Sequence, residues 1–316
     1  MELVAYTKAR PADGPPGDLP TRSPGSPATR DPDKLMTCDI ETPDGASILH
    51  QTAVSGGEVC DAAMVELSDG RKWFVKRHRS PPPGFFAAEA RGLSFLRVAG
   101  GPRVPEVQQV TEGALVLEWI PRGGAVDRGD FGQRLAALHR AGRGLPWGNA
   151  APTTFLGTLQ LEDNTTRTTS WPSFWRTHRM APLLAIAHRR KLLSPRLSRK
   201  LDRHLELVES LLGHCPQPAR IHGDLWGGNR RVDARAESWI YDPAAQVGDR
   251  EVDLAMMSLF GGFSRAELDA VVADDPLPPG AEDRRRAYQA FYLLVHVLLQ
   301  GAHWGRQLED SLRGLC

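Results

Sequence analysis

The sequence predicts an α+β protein with two lobes: a β-rich N-terminal lobe containing one helix, and a mainly α-helical C-terminal lobe. Between residues 34 and 120, short apolar runs are separated by turn residues, which is typical of strands. Beyond residue 120 the apolar residues recur every three or four positions over long stretches, which is typical of amphipathic helices. A chain of 316 residues is long enough to form both lobes.

The composition is that of an ordinary globular protein and excludes several function classes. The 39 basic and 38 acidic residues give a formal charge of +1, so bulk electrostatics favour neither a nucleic-acid nor a membrane partner. The four cysteines are dispersed without a C-x-x-C pair, which argues against a zinc site or a disulfide framework. The longest apolar run, Phe291 to Leu299, is too short to span a membrane, and the start resembles no signal peptide. We therefore expect a soluble, cytoplasmic protein.

The chain divides into three segments by composition. Residues 1–33 contain seven prolines and a single aromatic residue, which predicts a disordered tail, either dispensable or a docking segment for another protein. We assign residues 34–120 to the N-terminal lobe, which would cover a nucleotide. We assign residues 121–316 to the C-terminal lobe, which would carry the catalytic and substrate-binding groups.

The N-terminal lobe contains a predicted hairpin preceded by a pair of glycines. Apolar runs at 62–67 and 72–76 flank an Asp-Gly turn. Gly56 and Gly57, just upstream, could bring backbone N–H groups close to a phosphate. A Gly-Gly pair is equally an ordinary turn signal.

A helix is predicted over residues 85–98, and it places one carboxylate among apolar side chains. Glu89 falls on the same helical face as Phe86 and Leu93. A buried carboxylate needs a partner, and Lys76 on the preceding strand is the obvious one. Such a pair would position the Lys76 ammonium on ATP phosphates. The alternative is a solvated glutamate at a helix edge and an unrelated lysine at a strand end.

The apolar strand at 114–120 runs into a Pro-Arg-Gly-Gly linker, where the two lobes would meet. The end of such a strand leaves backbone groups available for the edge of a flat base. The carbonyl of Glu118 and the amide of Ile120 are the candidates for binding adenine.

The spacing of three polar residues in the C-terminal lobe indicates phosphoryl transfer. Asp224 and Asn229 lie five residues apart in His-Gly-Asp-Leu-Trp-Gly-Gly-Asn, and Asp242 follows on the far side of a predicted hairpin. Phosphotransferases use one carboxylate to orient the attacking hydroxyl and two oxygen ligands to hold Mg²⁺. We therefore expect Asp224 to be catalytic, and Asn229 and Asp242 to bind the metal.

Taken in order, these motifs resemble the protein-kinase-like small-molecule kinases, which include the aminoglycoside phosphotransferases and choline kinases. A narrower set resembles the fructosamine-3-kinase and ribulosamine-3-kinase family. The resemblance covers about Gly56 to Gly305 and rests on His222-Gly-Asp-Leu-Trp-Gly-Gly-Asn, Tyr241-Asp-Pro-Ala, Arg250-Glu-x-Asp-Leu-Ala, Leu259-Phe-Gly-Gly-Phe, Phe155-Leu-Gly, Trp171-Pro-Ser-Phe-Trp and Tyr288-Gln.

The resemblance implies a two-lobed protein-kinase-like fold that binds ATP and Mg²⁺ in the cleft. It further implies phosphorylation of the 3′-hydroxyl of a ketosamine, the product of a sugar and a free or protein-bound amine. Because phosphate leaves C3 more readily than hydroxide, its later elimination would free the amine, which is a deglycation reaction. The alternatives are an aminoglycoside- or choline-type phosphotransferase and a pseudokinase that only binds.

Four residues are candidates for substrate contact. Trp226 could stack on the sugar or pack in the core, and His296 matches a family histidine but could equally be a buried structural one. Trp171 lies in a segment that mixes aromatic and polar groups, which suits sugar binding or a loop anchored in the core. Asp249 stands near the expected sugar site, where the family more often has histidine.

Further expectations concern residues around the catalytic stretch. His222 is expected to fix the catalytic loop by hydrogen bonds, and Asp253 to hold that loop from the following helix. Arg231 stands where relatives tend to have a small or apolar residue under adenine, so its stem would cover the base or the loop would differ. Cys60, in the glycine loop, could be an oxidisable thiol.

Overall fold

A computed structural model describes residues 40–42, 45–54, 59–123, 129–163 and 168–315. The predicted tail, the glycine pair Gly56 and Gly57, and Asn164 in the aromatic segment lie outside these ranges. Within the described residues, no helix is long and apolar enough to cross a membrane.

The N-terminal lobe is a five-stranded antiparallel sheet with one helix, as the sequence predicts. The strand order is β1-β2-β3-β5-β4, and the predicted Asp-Gly turn joins β2 to β3. The elements are β1 (Ile48–Val54), β2 (Asp61–Leu67), β3 (Lys72–Arg77), α1 (Phe85–Leu96), β4 (Val107–Val110) and β5 (Ala114–Glu118).

Alternation along the strands separates the two faces of this sheet. Leu115 and Leu117 of β5 pack in the cluster that includes α1, whereas Val116 between them packs with Val65 and Val75 on the opposite face. Since side chains alternate along β3, Lys76 lies on the face opposite Val75 and points toward the helix. The sheet thereby presents the Lys76 ammonium to the cleft side.

The C-terminal lobe is mainly helical. Its helices are α2 (Phe131–Arg140), α3 (Trp171–Trp175), α4 (Ala181–Arg189), α5 (Pro195–Leu211), α6 (Glu251–Phe260), α7 (Arg265–Val271), α8 (Ala281–Gln300) and α9 (Gly305–Ser311). A π-helical turn, Arg176–Met180, joins α3 to α4. Helical periodicity at 130–140, 171–188, 198–212, 250–260 and 283–300 predicts six of these eight helices. It misses α7 and α9, which are each seven residues long.

The core of this lobe is built around α8. Most of its residues from Ala287 to Leu298 are buried, with aromatic rings of α3 against them. The Trp175 ring contacts Tyr288 and Phe291 at centroid distances of 4.9 and 4.8 Å. A helix apolar on nearly all sides must lie inside the lobe, which explains why its pattern is less amphipathic than that of α5.

Short strands carry the catalytic stretch. In a three-stranded sheet, β9 (Ala219–Ile221) pairs with β12 (Gln246–Gly248), which also pairs with β6 (Gly148–Asn149). A hairpin of β10 (Arg230–Val232) and β11 (Ser238–Ile240) follows the catalytic loop, and a further hairpin joins β7 (Thr154–Leu156) to β8 (Leu159–Leu161). Because β9 and β12 are antiparallel, residues 222–229, which follow β9, and residues 241–245, which precede β12, lie at the same edge of this sheet.

Candidate active site

A cavity of about 620 Å³ lies between the N-terminal sheet and the C-terminal helices. One end is formed by the N-terminal strands, α1 and the linker, and the other by α6, α8 and the loop before α9. The two ends meet at Asp224, Asn229 and Asp242, all of which line the cavity. The three residues predicted for catalysis and metal binding therefore lie together in the cleft between the two lobes.

Lys76 bridges the two lobes by contacting two carboxylates. Its Nζ donates a 2.7 Å hydrogen bond to Glu89 Oε1 and also contacts Asp242 Oδ1. The Lys76–Glu89 contact expected from the sequence is therefore present. Burial alone would lower the pKa of Lys76, but Asp242 and Glu89 outweigh it and raise this pKa above its usual value. Lys76 is therefore a permanent cation at the phosphate end of the cleft.

Asp224 is a partly buried carboxylate held by Asn229. The Asn229 Nδ2 donates to the Asp224 carbonyl at 2.8 Å and to its Oδ2 at 3.1 Å. Burial, together with repulsion from Asp242, raises the pKa of Asp224 to about 7. A carboxylate with a pKa near neutrality is suited to accept a proton from a substrate hydroxyl, since it is available in both protonation states.

The oxygen atoms of Asn229 and Asp242 suit a divalent ion. The Asn229 amide nitrogen is used in hydrogen bonds to Asp224 and to the Asp242 carbonyl, at 3.4 Å, so its oxygen is the end left as a ligand. Asp242 supplies a carboxylate in the same place, with its side chain 40% exposed. Oxygen ligands of this kind are those that Mg²⁺ prefers.

Unusual backbone geometry fixes both halves of this centre. Asp242 has a φ of 59° and Gly223 a φ of 78°, both in the left-handed region. A Cβ on Gly223 would lie 2.2 Å from the Ala244 oxygen, so no other residue fits there without moving the backbone. The glycine in His-Gly-Asp is thus required by the approach of residues 242–244 to the catalytic loop.

His222 orients the loop and takes no part in proton transfer within this geometry. Its Nε2 donates to the Tyr241 carbonyl at 2.9 Å, and its Nδ1 accepts from the Asp224 amide at 3.2 Å. These bonds define the neutral tautomer, and burial lowers the pKa of His222 despite the nearby Asp253. The hydrogen-bonding role expected from the sequence agrees with these contacts.

Asp253 and His139 support the catalytic loop from behind. The two carboxylate oxygens of Asp253 accept the backbone N–H groups of His222 and Gly223, each at 2.9 Å. His139 of α2 contacts Asp253 Oδ2 through its Nε2 at 3.0 Å. The sequence indicated Asp253 but not His139, whose only signal is a histidine on the buried side of an amphipathic helix.

The end of the cavity next to the linker contains the residues predicted to bind adenine. Glu118 and Ile120 both line it, at the end of β5. Arg231 of β10 lies across from them, with its guanidinium carbon 5.2 Å from the centre of the Trp119 ring. The Arg231 guanidinium therefore packs against the linker tryptophan, and the covering of the base by its stem stays a prediction.

The opposite end of the cavity is an aromatic pocket, by which we mean the half-buried rings of Trp226, Phe260, His296 and Trp304. The Phe260 ring lies 6.2 Å from Trp226 and 4.9 Å from His296, and the His296 ring lies 4.7 Å from Trp304. Trp226 and His296, two predicted substrate residues, thus meet here. Phe260 entered the sequence analysis only within the Leu259-Phe-Gly-Gly-Phe motif, and Trp304 did not enter it, because their approach depends on how α6, α8 and the loop after α8 pack.

A glycine contact positions Trp226. The Gly227 amide donates to the Gly261 carbonyl at 3.0 Å, and a Cβ on Gly262 would lie 2.3 Å from Gly227 Cα. The catalytic loop is therefore packed backbone to backbone against the end of α6. This close backbone contact explains why both segments contain glycine at the contact, Gly227 in the loop and Gly262 after α6.

Trp171 and Asp249 are not in the cleft, which corrects their assignment as substrate residues. Both are 1% exposed. The Trp171 Nε1 donates to the Tyr288 hydroxyl at 2.8 Å, and that hydroxyl donates to Asp249 Oδ2 at 2.6 Å. They form a hydrogen-bonded chain inside the C-terminal lobe, and we remove them from the proposed substrate site.

Cys60 lacks the properties expected of an oxidisable thiol. It lines the cavity near Lys76, but burial raises its pKa to about 12, and the attraction of Lys76 only partly opposes this. Since the thiolate is the reactive species, a thiol that stays protonated is a poor target for oxidation. We therefore discard the expectation of redox control at Cys60.

Comparisons with known proteins agree with this geometry. Residues 35–315 match the family model described as fructosamine kinase. A Synechocystis protein named probable ketoamine kinase is 36% identical over 276 residues, covering 84% of this chain and 90% of that protein. The crystal structure of a Thermobifida fusca protein named as a fructosamine-3-kinase is 34% identical, covers 85% of this chain and 94% of that one, and has a TM-score of 0.76.

More distant structures share only the fold. A type I macrolide 2′-phosphotransferase is 17% identical, with a TM-score of 0.54 over 85% of this chain and 92% of that one. The α+β, protein-kinase-like architecture expected from the sequence is therefore confirmed. From the match over residues 35–315 and the identity with its relatives, this chain belongs to the fructosamine kinase family.

Proposed function

We propose that this protein is an ATP- and Mg²⁺-dependent kinase that phosphorylates the 3′-hydroxyl of ketosamines. One observation carries the proposal: Asp224, Asn229 and Asp242 converge at the centre of a cleft with a buried cation at one end and aromatic rings at the other. Lys76, Glu118 and Ile120 mark the end that would take ATP. The aromatic pocket would take the sugar and its amine.

Asp224 would act as the base. Its carboxylate accepts the proton of the 3′-hydroxyl as that oxygen attacks the γ-phosphorus of ATP, and the bond from this phosphorus to the bridging oxygen breaks to release ADP. Lys76 stabilises the phosphate charge, and Glu89 holds Lys76 in place. Mg²⁺, held by Asn229 and Asp242, would neutralise charge on the phosphates. Asn229 keeps Asp224 oriented through the 3.1 Å hydrogen bond.

The charge distribution in the cleft favours a ketosamine over an aminoglycoside. The carboxylates that line it, Glu89, Glu118, Asp224 and Asp242, belong to the nucleotide end or the catalytic centre. None of the described residues in the aromatic half of the lining, from α6 to Gln307, is acidic. An aminoglycoside carries several ammonium groups, which call for several carboxylates. Aromatic faces instead suit the C–H surfaces of one sugar and a single cationic amine.

The contacts within the centre also favour an active enzyme over a pseudokinase. A pseudokinase is expected to lack the base, the metal ligands or the phosphate-binding lysine. Here Asp224, Asn229, Asp242 and Lys76 are all present and lie within one hydrogen-bonded cluster.

The proposed product explains a deglycation role. In a ketosamine 3-phosphate, the phosphate sits on the carbon next to the C2 carbonyl. Loss of a C1 proton forms an enaminol, from which phosphate leaves C3 with its electron pair, and water then hydrolyses the resulting imine to release the amine. Phosphate leaves far more readily than hydroxide, so repair needs no second enzyme. The substrate amine would belong to a free metabolite or a protein lysine.

The proposal is tested by ADP release with a substrate panel. We expect turnover with ribuloselysine or fructoselysine and little with kanamycin or choline. An Asp224→Asn variant controls for contaminating ATPase. Turnover confined to aminoglycosides or choline would refute the substrate assignment. Undetectable turnover with every compound, despite ATP binding, would favour the pseudokinase.

A further inference from the structure

A second cavity, of about 140 Å³, lies in the C-terminal lobe, away from the cleft described above. It is bounded by the segment after α5, which contains His214 and Cys215, and by the residues that lead into α6, Asp249 and Glu251. His139 of α2 lines it as well. Nothing in the proposed kinase reaction uses this cavity.

His214 places its Nε2 close to two carboxylates. Its Nδ1 lies 3.0 Å from the Leu212 carbonyl, which can only accept, so Nδ1 carries the proton. In the neutral ring, Nε2 then carries a lone pair, and it lies 2.9 Å from Asp249 Oδ2 and 3.5 Å from Glu251 Oε1. The side chain is only 8% exposed. A cation placed between these atoms would contact the nitrogen and both carboxylates.

The short contact to Asp249 does not provide a hydrogen bond. Although Nε2 and Oδ2 are close, their alignment is poor, and Nε2 has no hydrogen-bond partner among the described residues. Nε2 is therefore a buried nitrogen without a hydrogen-bond partner, 2.9 and 3.5 Å from oxygens of two carboxylates. A donor set arranged around a common point is the geometry of an ion site.

The carboxylates are held in place by a surrounding layer of hydrogen bonds. Tyr288 donates to Asp249 Oδ2 at 2.6 Å, and the Glu251 amide donates to Asp249 Oδ1 at 3.0 Å. Arg284 donates to Glu251 from its Nε and Nη2, at 2.7 to 3.0 Å. Arg284 thus pairs with Glu251, whereas Asp249 accepts hydrogen bonds from two neutral donors, the Tyr288 hydroxyl and the Glu251 amide. Such outer hydrogen bonds typically orient metal ligands.

We propose that His214, Asp249 and Glu251 bind a divalent transition-metal ion, with Zn²⁺ as the best-matched species. Their ligand atoms all lie within 4.8 Å of one another. Zinc sits about 2.0–2.2 Å from nitrogen and oxygen ligands, so atoms around it are about 3–4 Å apart, in line with 2.9 and 3.5 Å. An imidazole ligand favours zinc over Mg²⁺ or Ca²⁺. The adjoining cavity leaves room for water to complete the shell.

The ion would link two segments that meet behind the catalytic loop. His214 follows α5, while Asp249 and Glu251 stand at the start of α6. Two residues later, Asp253 accepts the backbone N–H groups of His222 and Gly223. Zinc binding would therefore stabilise the start of the helix on which the catalytic loop rests. It would be a structural site, distinct from the Mg²⁺ site at Asn229 and Asp242.

The test measures zinc binding directly and needs no activity. Chelator-treated protein is dialysed against Zn²⁺ at about pH 7.5, bound metal is quantified, and the melting temperature is followed with and without Zn²⁺. We expect one tightly bound Zn²⁺ per chain, a melting temperature higher by several degrees, and at least a roughly 100-fold weaker affinity in His214→Gln. If that variant does not fold, Asp249→Asn, which preserves shape, should show the same loss.

Two controls separate this site from adventitious binding. His188→Gln removes an exposed histidine beside a single carboxylate, Asp202 at 3.6 Å, and should leave zinc binding unchanged. Cys215→Ser removes the neighbouring exposed thiol and should also have no effect. The proposal is overturned if the wild-type protein binds no zinc, if His214→Gln binds as tightly as the wild type, or if either control abolishes binding.

Discussion

Replacing the proposed base by its amide should make the protein inactive and more stable. Asp224→Asn keeps the shape of the side chain and an oxygen that can accept the Asn229 hydrogen bond. It removes a negative charge that is buried and faces Asp242. We expect turnover to fall roughly 10²- to 10⁴-fold, because the amide cannot accept the substrate proton.

The size of the stability gain follows from the raised pKa. A rise from 3.8 to about 7 corresponds to about 4 kcal/mol lost from the free energy of unfolding once the pH exceeds 7, at about 1.4 kcal/mol per pKa unit. The folded state holds its proton up to pH 7, whereas the unfolded chain releases it near pH 4. The penalty is therefore absent below pH 4 and complete above pH 7. Since burying the amide also costs solvation energy, we expect Asp224→Asn to raise the free energy of unfolding by only about 2 kcal/mol above pH 7.

Urea unfolding of wild type and variant at pH 5 and pH 8, without Mg²⁺, measures the effect. The increase in the free energy of unfolding caused by Asp224→Asn should be less than half as large at pH 5 as at pH 8. Asp233→Asn is the matched control, because the Trp239 and backbone N–H groups around that buried carboxylate outweigh its burial and lower its pKa. Its neutralisation should destabilise the protein at pH 8.

Two results would refute this reasoning. If the Asp224→Asn enzyme retains near-wild-type turnover, Asp224 is not the catalytic base. A variant that is less stable than the wild type at pH 8, with intact secondary structure, would show that the carboxylate is not under electrostatic strain. The pH profile gives an independent reading, because wild-type kcat/KM should fall as the pH drops through about 7 and Asp224 becomes protonated.

Three further substitutions test the parts around Asp224. Glu89→Gln breaks the 2.7 Å pair with Lys76, and we expect kcat/KM for ATP to fall roughly 100-fold; an unchanged value would show that Lys76 needs no partner. Gly223→Ala should lower the melting temperature sharply and abolish activity because of the 2.2 Å backbone clash, whereas Gly70→Ala, with the same sign of φ and open space, should cost only about 1–2 kcal/mol. Arg231→Leu should raise KM for ATP about two- to fivefold without changing kcat, as measured by steady-state kinetics; an unaltered KM would remove Arg231 from the nucleotide site.

The sequence predicted those parts of the fold and site that depend on local pattern or on an unbalanced charge. The helical period over residues 85–98 placed Glu89 among apolar side chains, and burial then demanded a cation, which Lys76 supplies. The same applies to the hairpin at Asp-Gly and to the long amphipathic helices. In each case a few neighbouring residues determine the outcome.

The predictions that were wrong or incomplete concern side chains whose direction is set by long-range packing. Trp171 and Asp249 have the chemistry of sugar-binding residues, but α8 brings Tyr288 between them, and both turn into the core. The aromatic pocket was only half predicted for the same reason. Phe260 and Trp304 reach Trp226 and His296 only because α6, α8 and the loop before α9 converge.

The side chains that support the catalytic loop were predicted only in part. Asp253 could be expected to hold the loop, since it begins the helix that follows. His139, which lies 114 residues away in the chain, has no local signal that distinguishes it from an ordinary buried histidine. Only the folded arrangement shows that it contacts the carboxylate on which the loop depends.

The central claim, transfer of phosphate to the 3′-hydroxyl of a ketosamine, is tested most directly by identifying the phosphorylated atom. Purified enzyme is incubated with ATP, Mg²⁺ and ribuloselysine or fructoselysine, and the product is followed by ³¹P and ¹³C NMR. We predict a phosphate ester coupled to C3, followed by inorganic phosphate and free lysine as the ester decomposes. A phosphate on any other oxygen, or a stable product that releases no amine, would contradict the account.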